Sequence, residues 1–141
     1  MRKIITTLIF CSLIYADEFV GMVKSIHGKV HIKRENSILS LKLGSTLKRG
    51  DIIMTKVKSG VGITFSDGSR LTLGENSIFC INRYIFKPED REFDIDIKLI
   101  KGKALFNSGK VGKLSPDSVK FEIPDGVVGI RGTEFIVEVI E

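Results

Sequence analysis

Apolar and polar residues alternate along most of this chain, and the period is two. Phe93-Asp94-Ile95-Asp96-Ile97-Lys98-Leu99 puts four apolar side chains on one face and three charges on the other. That is the pattern of a strand with one buried face. The runs Val61 to Phe65, Leu71 to Leu73, Val119 to Ile123 and Phe135 to Val139 follow the same rule. Helical periodicity is nearly absent. Turn signals separate the runs. Asp67-Gly68 stands between two of them and suits the positive-φ position of a tight hairpin. His27-Gly28, Arg49-Gly50-Asp51, Lys101-Gly102, Pro124-Asp125-Gly126 and Arg131-Gly132 mark further turns or bends, and the polar stretches around Pro88 and Pro116 read as long loops. The fold class expected from short, punctuated strands is all-β, an antiparallel β-sandwich. A solenoid-like stack of short strands is the alternative architecture, although no tandem repeat of fixed period is found.

The first residues break the pattern. Arg2 and Lys3 precede thirteen uncharged residues, Ile4 to Ala16, and Asp17-Glu18 end the run. This is the layout of a secretory signal peptide covering 1–16, with Ala16 as the last residue removed. The run is short for a permanent span, which takes about 20 apolar residues. The remaining segment, 17–141, fits one domain. Removing two of the 22 basic residues leaves 20 against 17 acidic ones, a balance that is only mildly positive. Cys11 leaves with the signal, so Cys80 has no intrachain partner and its apolar run, Ser77 to Ile81, points to a buried thiol. The expected location is periplasmic or otherwise exported.

Three stretches in order resemble the periplasmic domain of the FecR family. They are Gly21 to Thr55, with Gly44 and Arg49-Gly50-Asp51; Ser59 to Leu73, with Phe65-Ser66-Asp67-Gly68-Ser69; and Pro124 to Phe135, with Gly129-Ile130-Arg131-Gly132-Thr133. The resemblance covers nearly the whole segment after the signal. It implies a jelly-roll-like β-domain that binds a partner in the periplasm. In the founding members such a domain belongs to a transmembrane signalling protein. Here the expectation is the domain alone, so the signalling role is not carried over, and a binding module remains.

Candidate chemistry is sparse. Glycines around Arg131 can form a nest of N–H groups for an anion, or simply a bend where strands approach closely. Lys98, Lys101, Lys103, Lys110 and Lys113 form the one basic concentration, with no acidic residue from Lys98 to Lys113. If the turn at Gly102 and the loop near Gly112 meet, these lysines make a patch for a protein or an envelope polymer; otherwise they are a solvated face. Nucleic acid is not expected as a partner, because export removes the opportunity and Phe106 is the only aromatic among the lysines for stacking. Asp94 and Asp96 share a strand face and are expected to be solvated. His27 and His31 have no third metal ligand near them in sequence and read as surface histidines. No nucleophile elbow or triad ordering occurs, and no cofactor motif is found. The expected function is therefore a non-enzymatic binding or signalling module. A structural subunit that assembles through strand-edge pairing is the alternative.

Overall fold

The computed structural model describes residues 19–130 and 134–140; the expected signal segment and Arg131 lie outside them. The strands are β1 (Phe19–His27), β2 (Val30–Arg34), β3 (Ser37–Ser40), β4 (Thr46–Lys48), β5 (Ile52–Thr55) and β6 (Gly60–Phe65). They continue as β7 (Arg70–Leu73), β8 (Ile78–Lys87), β9 (Glu92–Asn107), β10 (Val119–Ile123), β11 (Gly126–Val128) and β12 (Glu134–Val139). A five-residue helix, α1 (Lys110–Leu114), follows β9. The all-β expectation holds: the strands form one curled, mostly antiparallel sheet, with β10 running parallel to β9. The stretch around Pro88 is not a long loop. It is one 3-10 turn, Pro88–Asp90, that closes a hairpin in which Lys87 faces Glu92.

The sheet runs β3-β2-β5-β8-β9-β7-β6-β1-β4, so β9 is its centre. The first part of β9 pairs with β8 and β10, and its last part with β7 and β12. The partners change at Gly102. The turn expected there is a bend inside one sixteen-residue strand. Gly102 has φ +95°, and a Cβ on it would overlap Ser77. Only glycine meets both conditions without strain. Ser77 is fully buried and holds the bend from behind. Its Oγ accepts from the Lys103 N–H at 3.1 Å, while its own N–H donates to Thr55 Oγ1 at 2.9 Å.

Alternation now becomes packing. Registered residues of neighbouring strands share a face. One inner row runs Ile32, Ile53, Phe79, Leu99 across β2, β5, β8 and β9. The other runs Val23, Ile63, Leu71, Phe106 across β1, β6, β7 and β9. All eight are at most 2 % exposed, so the sheet curls until the rows face each other. Phe121 on β10 joins them, with ring centroids 6.0 Å from Phe79, 5.8 Å from Phe106 and 5.2 Å from Phe135.

The Asp67-Gly68 hairpin does more than turn the chain. Gly68 N–H donates to Phe65 O at 2.9 Å and Gly68 has φ +87°, the three-residue loop in which glycine takes the left-handed position. Asp67 points inward and is 1 % exposed. Its carboxylate accepts from Tyr84 Oη at 2.6 Å, Ser69 Oγ at 2.7 Å, Ser69 N–H at 3.1 Å and Val111 N–H at 3.3 Å. One side chain thus ties the β6–β7 loop to β8 and to α1. Tyr84 stacks on Phe65 at 4.5 Å, and burial followed by the Asp67 charge raises its hydroxyl well above the ordinary tyrosine pKa.

Three substitutions check this construction by urea unfolding. Asp67→Ala orphans several buried donors and is expected to cost about 3 kcal/mol or more, whereas Tyr84→Phe removes one donor and costs about 1–3 kcal/mol. Equal losses would mean that Asp67 serves Tyr84 alone. Gly102→Ala is expected to cost about 2–4 kcal/mol from overlap and positive φ together; a neutral result would show that the bend does not need glycine.

Candidate docking face

In most of the sheet the outward residues are polar. Behind β6, β7 and β9 polar residues are in the majority: Thr64, Arg70 and Asn107 form one row and Gly62, Thr72 and Leu105 the next, with Met22 of β1 and Ile136 of β12 as apolar neighbours at their ends. The rows behind β5 and β8 differ. Ile52-Ile53-Met54 and Ile78-Phe79-Cys80-Ile81 are apolar without alternation, the signature of strands with both faces covered. Ile53, Phe79 and Ile81 fill the core. Ile52, Met54, Ile78 and Cys80 therefore face outward.

The register sets these four in an ordered array. One outer row is Lys33, Ile52, Cys80, Lys98, and the next is His31, Met54, Ile78, Lys101. An apolar block two strands wide is flanked by Lys33 and His31 on β2 and by Lys98 and Lys101 on β9. A register shift between Ile78 and Phe79 adds Ile100, 37 % exposed, to the β9 side. Cys80 is buried as expected, but among these outer residues and outside the core cluster. Burial raises its thiol pKa and the nearby Lys98 ammonium opposes the rise. His31 Nδ1 is buried with no hydrogen-bond partner among the described residues.

The structure distributes the five lysines singled out from sequence over three places. Lys98 and Lys101 share the array. Lys103 lies past the Gly102 bend, in register with Glu138 of β12. Lys110 and Lys113 sit on α1, which the Asp67 loop anchors through Lys110 N–H to Asp67 O at 3.0 Å. The bend separates Lys101 from Lys103, and six residues, 104–109, separate Lys103 from Lys110. The anion-nest candidate centred on Arg131 falls outside the described residues, and Ile130 beside it is buried.

Asp94 and Asp96 do share a face, but only Asp94 is solvated. Asp96 is 7 % exposed. Arg83 on β8 spans the two, with Nε 3.0 Å from Asp94 and Nη2 3.4 Å from Asp96. Asp96 Oδ1 has no donor among the described residues. Burial, then contact with the Glu122 carboxyl on β10, raises the Asp96 pKa against the opposing pull of Arg83. Glu122 is lowered, first by its hydrogen bond with Asp96. A proton retained on Asp96 turns a contact between two acceptors into a hydrogen bond. Lys120 completes the cluster, 3.3 Å from Glu122. Among the described residues no group of three or more His, Cys, Asp or Glu side chains is placed to hold a metal.

Comparison with known families finds a match to the FecR protein family over residues 51–141. The chain belongs to the FecR family. FecR domains are in general periplasmic sensor or signalling modules, a regulatory class. No curated protein and no solved structure matches the chain. No helix among the described residues is long and apolar enough to cross a membrane. The FecR match begins at Asp51, and the motif residues it includes have structural duties. Asp51 is fully buried, accepts from Arg34 Nε at 2.9 Å and Nη2 at 2.8 Å, and takes the Lys48 N–H at 2.8 Å. It clamps the β4–β5 turn onto β2, as Asp67 clamps the β6–β7 turn. Both clamps reach β8 beyond the docking array, Asp51 at Ile81 and Asp67 at Tyr84. Sequence reasoning passed over the array, although the non-alternating runs at Ile52 and Ile78 were its visible signal.

The carboxyl pair has a defined pH behaviour. A raised folded pKa means that Asp96 contributes its stability at low pH and loses it as pH rises through that value; the lowered Glu122 works in the opposite sense. In a carbon-detected NMR titration the Asp96 carboxyl is expected to titrate above the ordinary aspartate value of about 3.9. Glu122→Gln is expected to move it down, though not fully, because burial is the larger cause. An Asp96 midpoint below the ordinary value would show that Arg83 dominates.

Proposed function

We propose that this FecR-family chain is an exported, non-catalytic module that docks a protein partner through the outer face of β2, β5, β8 and β9. The observation that carries the reading is the apolar block Ile52, Met54, Ile78 and Cys80, placed where an antiparallel sheet ordinarily presents polar side chains. On β6 and β7 the outward positions are Gly62, Thr64, Arg70 and Thr72, and apolar side chains enter those rows only singly from β1, β9 and β12. An apolar cluster on the outer face of a small domain's sheet, with Ile52, Met54 and Ile78 half-buried around the buried Cys80, marks an interaction site more often than a solvated wall. The family's regulatory character and the secretory layout of residues 1–16 support a binding role in the cell envelope.

Assembly by strand-edge pairing has less support. The free edge β3 is only four residues long, though Ile38 and Leu39 are exposed on it, and short edge strands are a common defence against pairing.

Photo-crosslinking in intact cells tests the reading. A photoreactive residue at Met54 is expected to give a discrete protein adduct, and one at Thr72 is expected to give none. Adducts of equal yield at both positions, or at Thr72 alone, would remove this face as the docking site.

A further inference from the structure

We infer that the partner element is a short amphipathic α-helix whose apolar stripe is flanked on both sides by acidic residues. The inference rests on the docking reading above and names what fits the face. Neighbouring strands lie about 4.8 Å apart, so β2 and β9, three spacings apart across β5 and β8, are separated by about 14 Å. A helix with its side chains is about 10–12 Å across. One helix laid along β5 and β8 therefore covers Ile52, Met54, Ile78 and Cys80 and reaches Lys33 on one flank and Lys98 and Lys101 on the other. Helix on sheet is also the standard way for a sheet to bury a second apolar face.

Length follows from the same geometry. β5 has four residues, Ile52–Thr55, or about 13 Å of strand. That matches two to three helical turns at about 5.4 Å each.

Charge chooses the sequence type. The lysines on both borders favour Asp or Glu on both shoulders of the stripe, and they oppose a second copy of this face, which would set lysine columns against one another. A lipid surface fits less well. The four central side chains lie half-buried or buried between neighbours, whereas membrane insertion uses apolar groups that project.

The test uses the purified chain and three synthetic helical peptides of about four turns. One has a Leu stripe with Glu on both shoulders, one has Lys on both shoulders, and one is a scrambled control. The Glu peptide is expected to shift the methyl NMR signals of Ile52, Met54 and Ile78 while leaving Ile63 unmoved. It should bind about tenfold or more tightly than the Lys peptide at low salt, with the difference shrinking as salt rises. Replacing Lys33, Lys98 and Lys101 by Glu should invert the preference, a result that needs no core substitution and so keeps the fold. Met54→Lys should abolish binding with an unchanged far-UV spectrum.

Equal binding of both charged peptides, or no shift at these methyls, overturns the inference. If Met54 still crosslinks a protein in cells, the docking reading survives without the helix; if it does not, both fall. Concentration-dependent dimerisation lost in Met54→Lys would assign the face to a second copy. Co-sedimentation with phosphatidylglycerol vesicles lost in the same variant would assign it to the membrane. Either outcome also overturns the helix.

Discussion

β9 can serve both parts of the sheet only because the chain bends at Gly102 without leaving extended structure. On one side of the bend it aligns Ile95, Ile97 and Leu99 with β8. On the other it aligns Ala104 and Phe106 with β7 and β12. A straight strand would hold the two rows in one plane, and neither could close over the other. The bend turns them face to face, and Phe121 then fills the space between. Ser77, sitting where a Cβ would project, couples this event to β5 through Thr55. The bend is thus a packing constraint enforced by buried polar contacts, which are costly to leave unmade.

Two buried aspartates extend the same logic to the turns. Asp51 and Asp67 each end a loop, turn inward and collect donors from distant elements. A buried carboxylate is costly unless its lone pairs are filled. Each therefore admits one arrangement of its neighbours: Asp51 fixes the start of β5, and Asp67 holds β8 through Tyr84. Those two strands present the apolar array. Rigidity behind the array comes from these contacts, and preorganisation of this kind lowers the ordering cost of docking.

Much of the strand inventory was legible. Period-two alternation at Val61, Leu71, Phe93, Val119 and Phe135 reports one-sided burial directly, and each run became a strand with the expected face inward. Asp67-Gly68 announced its hairpin because the turn needs a residue with positive φ. The docking array was legible only in part. The apolar runs at Ile52 and Ile78 say that both faces seek cover, but the flanking lysines come from β2 and β9, and only register across four strands brings Lys33, Lys98 and Lys101 around them.

Legible without any coordinates were the all-β class, the strand faces, the burial of Cys80 and the FecR kinship. These depend on local periodicity, on composition and on motif order. Tertiary structure alone decided that Lys101-Gly102 bends a continuous strand, that Lys103, Lys110 and Lys113 part company with Lys98, and that Asp96 is buried beside Glu122 and Arg83. The physical reason is common to all three. Each depends on which strand lies alongside β9, and pairing partners are chosen by core packing across the whole chain, which no local pattern encodes.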